Sequence, residues 1–366
     1  MEEREAYISL NMMERVGPVS VRSLVSALGS ATAIFEAGPQ DLAAVPEVSR
    51  DVVQAIINQR HALDWRQEMS RAASQGVRIV TWVDEEYPEP LRAIHDPPLA
   101  LYVRGTLRAS DRQSIAVVGT RRPTHYGREI AAQLASQLAR AGFTIVSGMA
   151  EGIDAAAHRA ALKSNGRTLA VLGGGMNRLY PPSHAELSEA IAAAGAVLSE
   201  FPMDRPPDRT TFPIRNRIVS GLSKGVVVVE AGLKSGAMIT ARMALEQGRQ
   251  VFAVPGRVDS SASQGCHALI REGAPLVTGA ADILSEFEIL LPAVGTSFQE
   301  ARSRPQLSAE EAVILDCLSG GEMDVDTLIR SSGLSAAAVN ALLVSLEMKR
   351  LVRVLPGRMV ELAVKS

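Results

Sequence analysis

Four short stretches of this chain set glycine beside groups that can hold an anion. They are Gly119-Thr120-Arg121-Arg122, Ser147-Gly148-Met149-Ala150-Glu151-Gly152, Gly173-Gly174-Gly175, and Glu230-Ala231-Gly232 with Lys234-Ser235-Gly236. Glycine lets a backbone approach a phosphate closely, and a following helix N-terminus adds amide donors and positive dipole. Any tight loop between a strand and a helix asks for glycine, so one such stretch says little. Four together, two of them beside Arg or Lys, point to an anion-binding surface.

The densest basic cluster is Arg205, Arg209, Arg215 and Arg217, with Phe212 and Asn216 among them. Arginine for phosphate beside an aromatic ring for base stacking is the pairing that single-stranded nucleic acid calls for. The plainer reading is a solvated loop with one phenylalanine tucked into the core. That reading weakens if Arg121 shares the same crest.

Catalytic constellations are sparse. The chain has no Gly-x-Ser-x-Gly elbow, no His-Glu-x-x-His and no metal-ligand spacing. Asp154 and His158 share a helix face at i, i+4, a spacing that more often ties a helix to its neighbouring loop than forms a general-base pair. Cys266 has no visible activating base, and Cys317 falls in an apolar stretch. No catalytic residue, cofactor or metal is therefore expected. Gly-x-Gly-x-x-Gly does not follow the first strand, and Gly-x-x-x-x-Gly-Lys-Ser/Thr is missing, so neither a dinucleotide nor a nucleoside triphosphate is indicated.

The elements that must position these residues lie in 63–290. Short β-branched runs recur at Ile115–Val118, Thr144–Val146, Thr168–Leu172, Ala196–Leu198, Val226–Val229, Gln250–Val254 and Leu276–Thr278. Amphipathic stretches at Arg128–Ala141, Ile153–Lys163, His184–Ala194 and Ala237–Gln247 separate most of them. That rhythm predicts an α/β fold, a parallel Rossmann-like sheet covered on both faces. In such sheets ligands bind beyond the carboxyl ends of the strands, where the glycine stretches fall.

The two ends differ from the middle. Residues 1–62 read as a helical module with turns at Gly17-Pro18 and Pro46-Glu47, where a helix-hairpin-helix motif places its loops. The second turn lacks glycine and the segment carries 5 basic against 8 acidic residues, which favours packing or protein contact over DNA contact. Residues 291–306 read as a linker. Residues 307–366 give helices at 309–318, 324–331 and 335–348 and a hairpin at Val352–Leu355 and Met359–Leu362, the outline of a winged helix. Residues 335–348 hold no Lys or Arg, unlike a helix that reads a DNA groove. Four cations, Lys349, Arg350, Arg353 and Arg358, follow it.

At 366 residues, with 46% apolar and 21% charged residues, the chain has the composition of a folded protein of two or three domains. No apolar run suits a membrane span, and the acidic start, Met1-Glu2-Glu3-Arg4-Glu5, lacks the pattern of a signal peptide. A cytoplasmic location is expected. The net charge of −2 advertises no global basic field, although 63–306 carries 27 basic against 24 acidic residues.

The ordered motifs Tyr87-Pro88, Asp96-Pro97-Pro98, Leu101–Gly105, Val117–Arg121, Ser147–Asp154, Tyr180-Pro181, Phe212–Arg217, Glu230-Ala231 and Ala253–Gly256 resemble the bacterial DNA-processing protein A family (DprA, also called Smf). The resemblance is strong over about 80–290. It implies an extended Rossmann core that binds single-stranded DNA, protects it and loads the RecA recombinase onto it in natural transformation and recombination. It also implies a homodimer through the Rossmann domain. By the same resemblance Arg121, Arg209 and Phe212 form the DNA pocket, with Arg209 where the family often has lysine and His267 where asparagine is usual. The DNA-binding set expected is Gly119, Arg121, Arg122, Ser147, Gly148, Gly173, Gly174, Arg209, Phe212, Arg215, Asn216, Arg217, Lys234 and Ser235. The rival is a nucleotide phosphoribohydrolase of the LOG type on the same Rossmann variant. Its Pro-Gly-Gly-x-Gly-Thr loop is missing here, where the chain reads Glu230–Gly236.

Overall fold

A computed structural model describes residues 1–288, 308–318, 321–348, 351–355 and 359–362. The chain divides into two compact units, Met1–Leu290 and Leu291–Ser366. The expected linker at 291–306 lies outside the described residues.

The first unit is built on eight strands: β1 (Val77–Thr81), β2 (Ala100–Gly105), β3 (Ser114–Val118), β4 (Thr144–Ser147), β5 (Thr168–Val171), β6 (Ala196–Ser199), β7 (Gly225–Val228) and β8 (Gln250–Ala253). Their order is β1-β2-β6-β5-β4-β3-β7-β8. The six strands from β6 to β8 are parallel, as the alternation of strand and helix predicts. The chain steps outward from β3 to β6, then returns to lay β7 on the other side of β3. That reversal opens a crevice between the loops after β3 and β7.

Strand alternation divides the core. Ala116, Val118, Val226 and Val228 face the helices Thr211–Leu222 and Gly236–Glu246. Ile115, Val117, Val227 and Val229 face His125–Arg140, Ile153–Lys163 and Ala280–Glu288. Side chains two apart in a strand share a face, so each run of valine and isoleucine serves both layers.

Three features depart from expectation. The antiparallel edge formed by β1 and β2 was not predicted, because its runs interrupt the strand–helix rhythm. Leu276 makes only an isolated bridge to Ala253 rather than a strand. The basic stretch 211–222 is a helix, with Pro213 in the first turn, where its missing N–H costs nothing.

Residues 1–62 form the helices Glu3–Met12, Pro18–Leu28, Ala31–Glu36, Pro39–Ala43 and Arg50–Gln59. They lie within the same compact unit as the sheet. Ile8 packs with Ala100 and Tyr102 of β2, and Asn11 donates to the Glu200 carbonyl at 2.8 Å.

The second unit has helices Ala309–Cys317, Val325–Ser332 and Ala336–Met348 and a three-stranded sheet. Its strands are β9 (Met323–Asp324), β10 (Val352–Leu355) and β11 (Met359–Leu362). Ile314, Leu328, Val339, Leu343, Leu346, Val352 and Val360 form its core, the winged-helix arrangement expected. Lys349, Arg350 and Arg358 lie outside the described residues. Among the described residues no helix is long and apolar enough to cross a membrane.

Candidate nucleic-acid interface

A cavity of about 390 Å³ sits at the crevice between β3 and β7. Its walls come from the loop after β3 (Gly119, Arg121, Arg122), the loop after β4 (Gly148, Ala150), the helix 211–222 (Phe212, Asn216) and the start of 236–246, entered through Ser235. A side cleft continues past Gly173, Phe212 and Tyr180.

Phe212 is half-buried, with its ring against Gly173. A Cβ on Gly173 would stand 2.5 Å from the ring, so only glycine lets the phenyl group lie there. Tyr180 lies 5.7 Å from Phe212 between ring centroids, and the Arg121 guanidinium carbon lies 5.1 Å from the Phe212 centroid. Arg121 and Arg122 are exposed. The mouth thus combines an aromatic platform with free guanidinium groups, a geometry that can stack a base and hold a phosphate.

Buried side chains fix the loops. Glu230 accepts from the Thr124 amide at 2.9 Å and the Thr124 hydroxyl at 2.5 Å, binding the loop after β3 to the end of β7. Asp154 accepts from the amides of Gly148 at 3.1 Å and Ala150 at 3.3 Å. Burial raises the Asp154 pKa, against the opposing pull of Arg215 and those amides. His158 instead bonds Thr168 at 2.7 Å, so Asp154 and His158 form no general-base pair. Burial pushes the His158 pKa down to about 3, with the charges of His184 and Arg215 acting the same way.

Several residues expected to contact DNA are buried. Arg217 is buried, pairing with Glu200 and with Asp96 at 3.0 Å, and it faces away from the cavity. Arg215 is largely buried in the cavity wall and donates to the carbonyls of Gly148 and Val171. Burial lowers its pKa to about 10, so it stays charged at neutral pH. Ser147 is buried and donates to the Val117 carbonyl at 2.6 Å. Gly174 is buried under Arg205 and Pro207, where a Cβ would strike backbone. Arg217, Ser147 and Gly174 are corrected from contact residues to supports, while Arg215 stays at the cavity wall with its donors turned to buried carbonyls. Arg217 and Ser147 face the interior from a helix and a strand end, where a polar side chain must satisfy a buried partner, and Gly174 is closed off by backbone packed over its loop. Arg209 and Lys234 are exposed but do not line the cavity. Tyr180 was not expected in the site, although its dipeptide with Pro181 is among the resembling motifs. The distance in sequence from Phe212 hid their contact.

Burial pushes the Cys266 thiol up to about 11, which leaves it protonated at neutral pH. Among the described residues no cluster of His, Cys, Asp and Glu is arranged to hold a metal.

The profile of the DNA recombination-mediator protein A family matches residues 78–288, more than half of the chain. The chain belongs to that family. The DprA winged-helix profile matches 298–358, and a SAM-like helix-hairpin-helix tandem matches 8–61. Protein Smf of Escherichia coli is 42% identical over 282 residues, which cover 76% of this chain and 75% of that protein. The DNA processing protein DprA of Bacillus subtilis is 39% identical over 244 residues, covering 65% of this chain and 82% of that one. Among solved structures, DprA from Streptococcus pneumoniae superposes with a TM-score of 0.69 at 33% identity, over 78% of this chain and 98% of that chain. DNA processing protein A from Helicobacter pylori, whose structure was described for its single-stranded DNA binding mode, gives 0.53 at 31% identity, over 59% and 98%.

Proposed function

We propose that this member of the family binds single-stranded DNA in the cavity between β3 and β7, without catalysing a reaction on it. One observation carries the reading: Arg121 lies over Phe212 at the mouth of a glycine-walled cavity at the sheet's reversal point. Its relative from Helicobacter pylori binds single-stranded DNA, which supports the same use here. Phe212 and Tyr180 offer stacking surface to any base, while Arg121 and Arg122 take phosphate. Binding is accordingly indifferent to sequence.

Family membership supports a wider reading. The protein protects incoming strands and transfers them to the RecA recombinase in transformation and recombination. It acts in the cytoplasm as a homodimer through the Rossmann domain.

A titration with single-stranded and duplex oligonucleotides at two salt concentrations tests the binding. Single strands bind more tightly, and log affinity falls by about 0.7 per phosphate contact per decade of salt. Equal affinity for duplex, or a flat salt response, rejects the pocket. Incubation with adenosine monophosphate releases no adenine; release would favour the phosphoribohydrolase.

A further inference from the structure

A second groove, of about 690 Å³, runs between the first glycine loop and the helices His125–Arg140 and Ile153–Lys163. Its floor is made of alanines, Ala132 from one helix and Ala156 and Ala160 from the other. Longer side chains there would fill the channel. Its charged lining is Arg121, Arg122, Arg128, Arg159 and Lys163, all exposed, with no carboxylate among the lining residues.

None of these five cations forms an ion pair among the described residues. Exposed Arg78, Arg205 and Arg257 each have a carboxylate partner, while exposed Arg22, Arg50 and Arg178 stand unpaired but apart from one another, so the groove differs in gathering its cations around one channel. The nearby acids are also turned elsewhere. Glu129 pairs with His125 at 3.1 Å, and Glu151 lines the cleft beside Tyr180. Five unneutralised cations around one channel form a concentrated field that a polyanion would relieve.

The groove and the cavity adjoin, with Arg121 and Arg122 lining both. A strand with a base on Phe212 therefore meets these two arginines as it leaves. Beyond them Arg159 and Lys163 stand one helical turn apart, their Cβ atoms about 5–6 Å from each other, as i, i+4 neighbours do. We propose that this groove is the track along which the sugar–phosphate backbone of the same single strand leaves the pocket. The inference rests on the function proposed above and extends the site to Arg128, Arg159 and Lys163. The groove has no aromatic lining, so it grips phosphate while the pocket grips bases.

The test uses the full chain and fluorescent oligothymidylates from about 4 to about 16 nucleotides, the usual range of single-strand site sizes. Wild-type affinity rises with length beyond what the pocket holds. The variant Arg128→Ala/Arg159→Ala/Lys163→Ala keeps its affinity for the shortest strands and loses about tenfold or more on the longest. Its salt slope on long strands falls by about 2, three contacts of about 0.7 each. A variant with Arg128→Lys and Arg159→Lys retains the length dependence. All these side chains are exposed, and circular dichroism checks each fold. Unchanged long-strand affinity, or equal losses on short and long strands, overturns the track. Failure of the pocket itself reads differently: Phe212→Ala would then leave short-strand binding untouched, whatever the groove variant does.

Discussion

The Arg121 guanidinium carbon stands 5.1 Å from the centroid of Phe212, although the two residues come from the loop after β3 and the helix after β6. A cation over a ring face is held by the ring's quadrupole, by about 0.5–1 kcal/mol where water has access. That contact keeps a half-exposed phenyl group covered in the free protein. It also puts the charge where a phosphate would follow a base.

Phe212→Ala weakens single-strand binding by about 1–3 kcal/mol, the range for a base on an aromatic ring, and leaves the salt slope nearly unchanged. Gly173→Ala has the same effect by another route. Its new Cβ would stand 2.5 Å from the ring and push it out of place while every cation stays. Fluorescence anisotropy on folded variants measures both. A Gly173→Ala protein that binds normally would sink the stacking role.

Arg217 and Arg209 should separate cleanly. Arg217→Ala strands Glu200, whose carboxyl is already raised in pKa by burial, and costs about 3–5 kcal/mol of stability. Urea unfolding reads that loss. Arg209→Ala leaves the urea midpoint in place and removes about 0.7 from the salt slope, if its exposed side chain reaches a phosphate just outside the cavity. A normal slope would remove Arg209 from the site.

His158 makes stability depend on pH. Its folded pKa of about 3 lies below the unfolded value of 6.5, so the unfolded chain takes up the proton first. Its stabilising contribution is complete above pH 6.5. It falls by about 1 kcal/mol per pH unit as pH drops from there toward 3. Urea midpoints between pH 7.5 and 4.5, compared with those of His158→Gln, give the difference. Parallel curves would refute the assignment.

A truncated protein of residues 1–290 keeps most single-strand affinity. The helix Ala336–Met348 contains no Lys or Arg, and 307–366 holds 6 basic against 8 acidic residues. Anisotropy and light scattering of the truncated and full chains decide the point. A loss above tenfold with the oligomeric state unchanged would put DNA contacts in the winged helix.

The β-branched runs of β3 to β8 were legible because a strand buried on both faces keeps its polar residues, such as Ser114, Thr144 and Ser199, to its ends. The glycine crest was legible for the same reason, since its loops must follow those strands. The burial of Arg215 and Arg217 was hidden because composition cannot tell an arginine that seeks phosphate from one that satisfies buried carbonyls or a buried carboxylate. Helix phase could have warned of it. Arg215, Ile218, Val219 and Leu222 recur at spacings of three and four, so Arg215 shares the face that enters the core. The pairing of Tyr180 with Phe212 was out of reach, because no local pattern reports which loops meet across a sheet.

The Arg215 guanidinium joins the carbonyls at the ends of two neighbouring strands, and Asp154 and Glu230 fasten the loops on either side. A site braced in this way has little left to order when a strand arrives. Its calorimetric signature is therefore the modest negative heat-capacity change of the surface it covers. The larger change that accompanies folding upon binding should be missing.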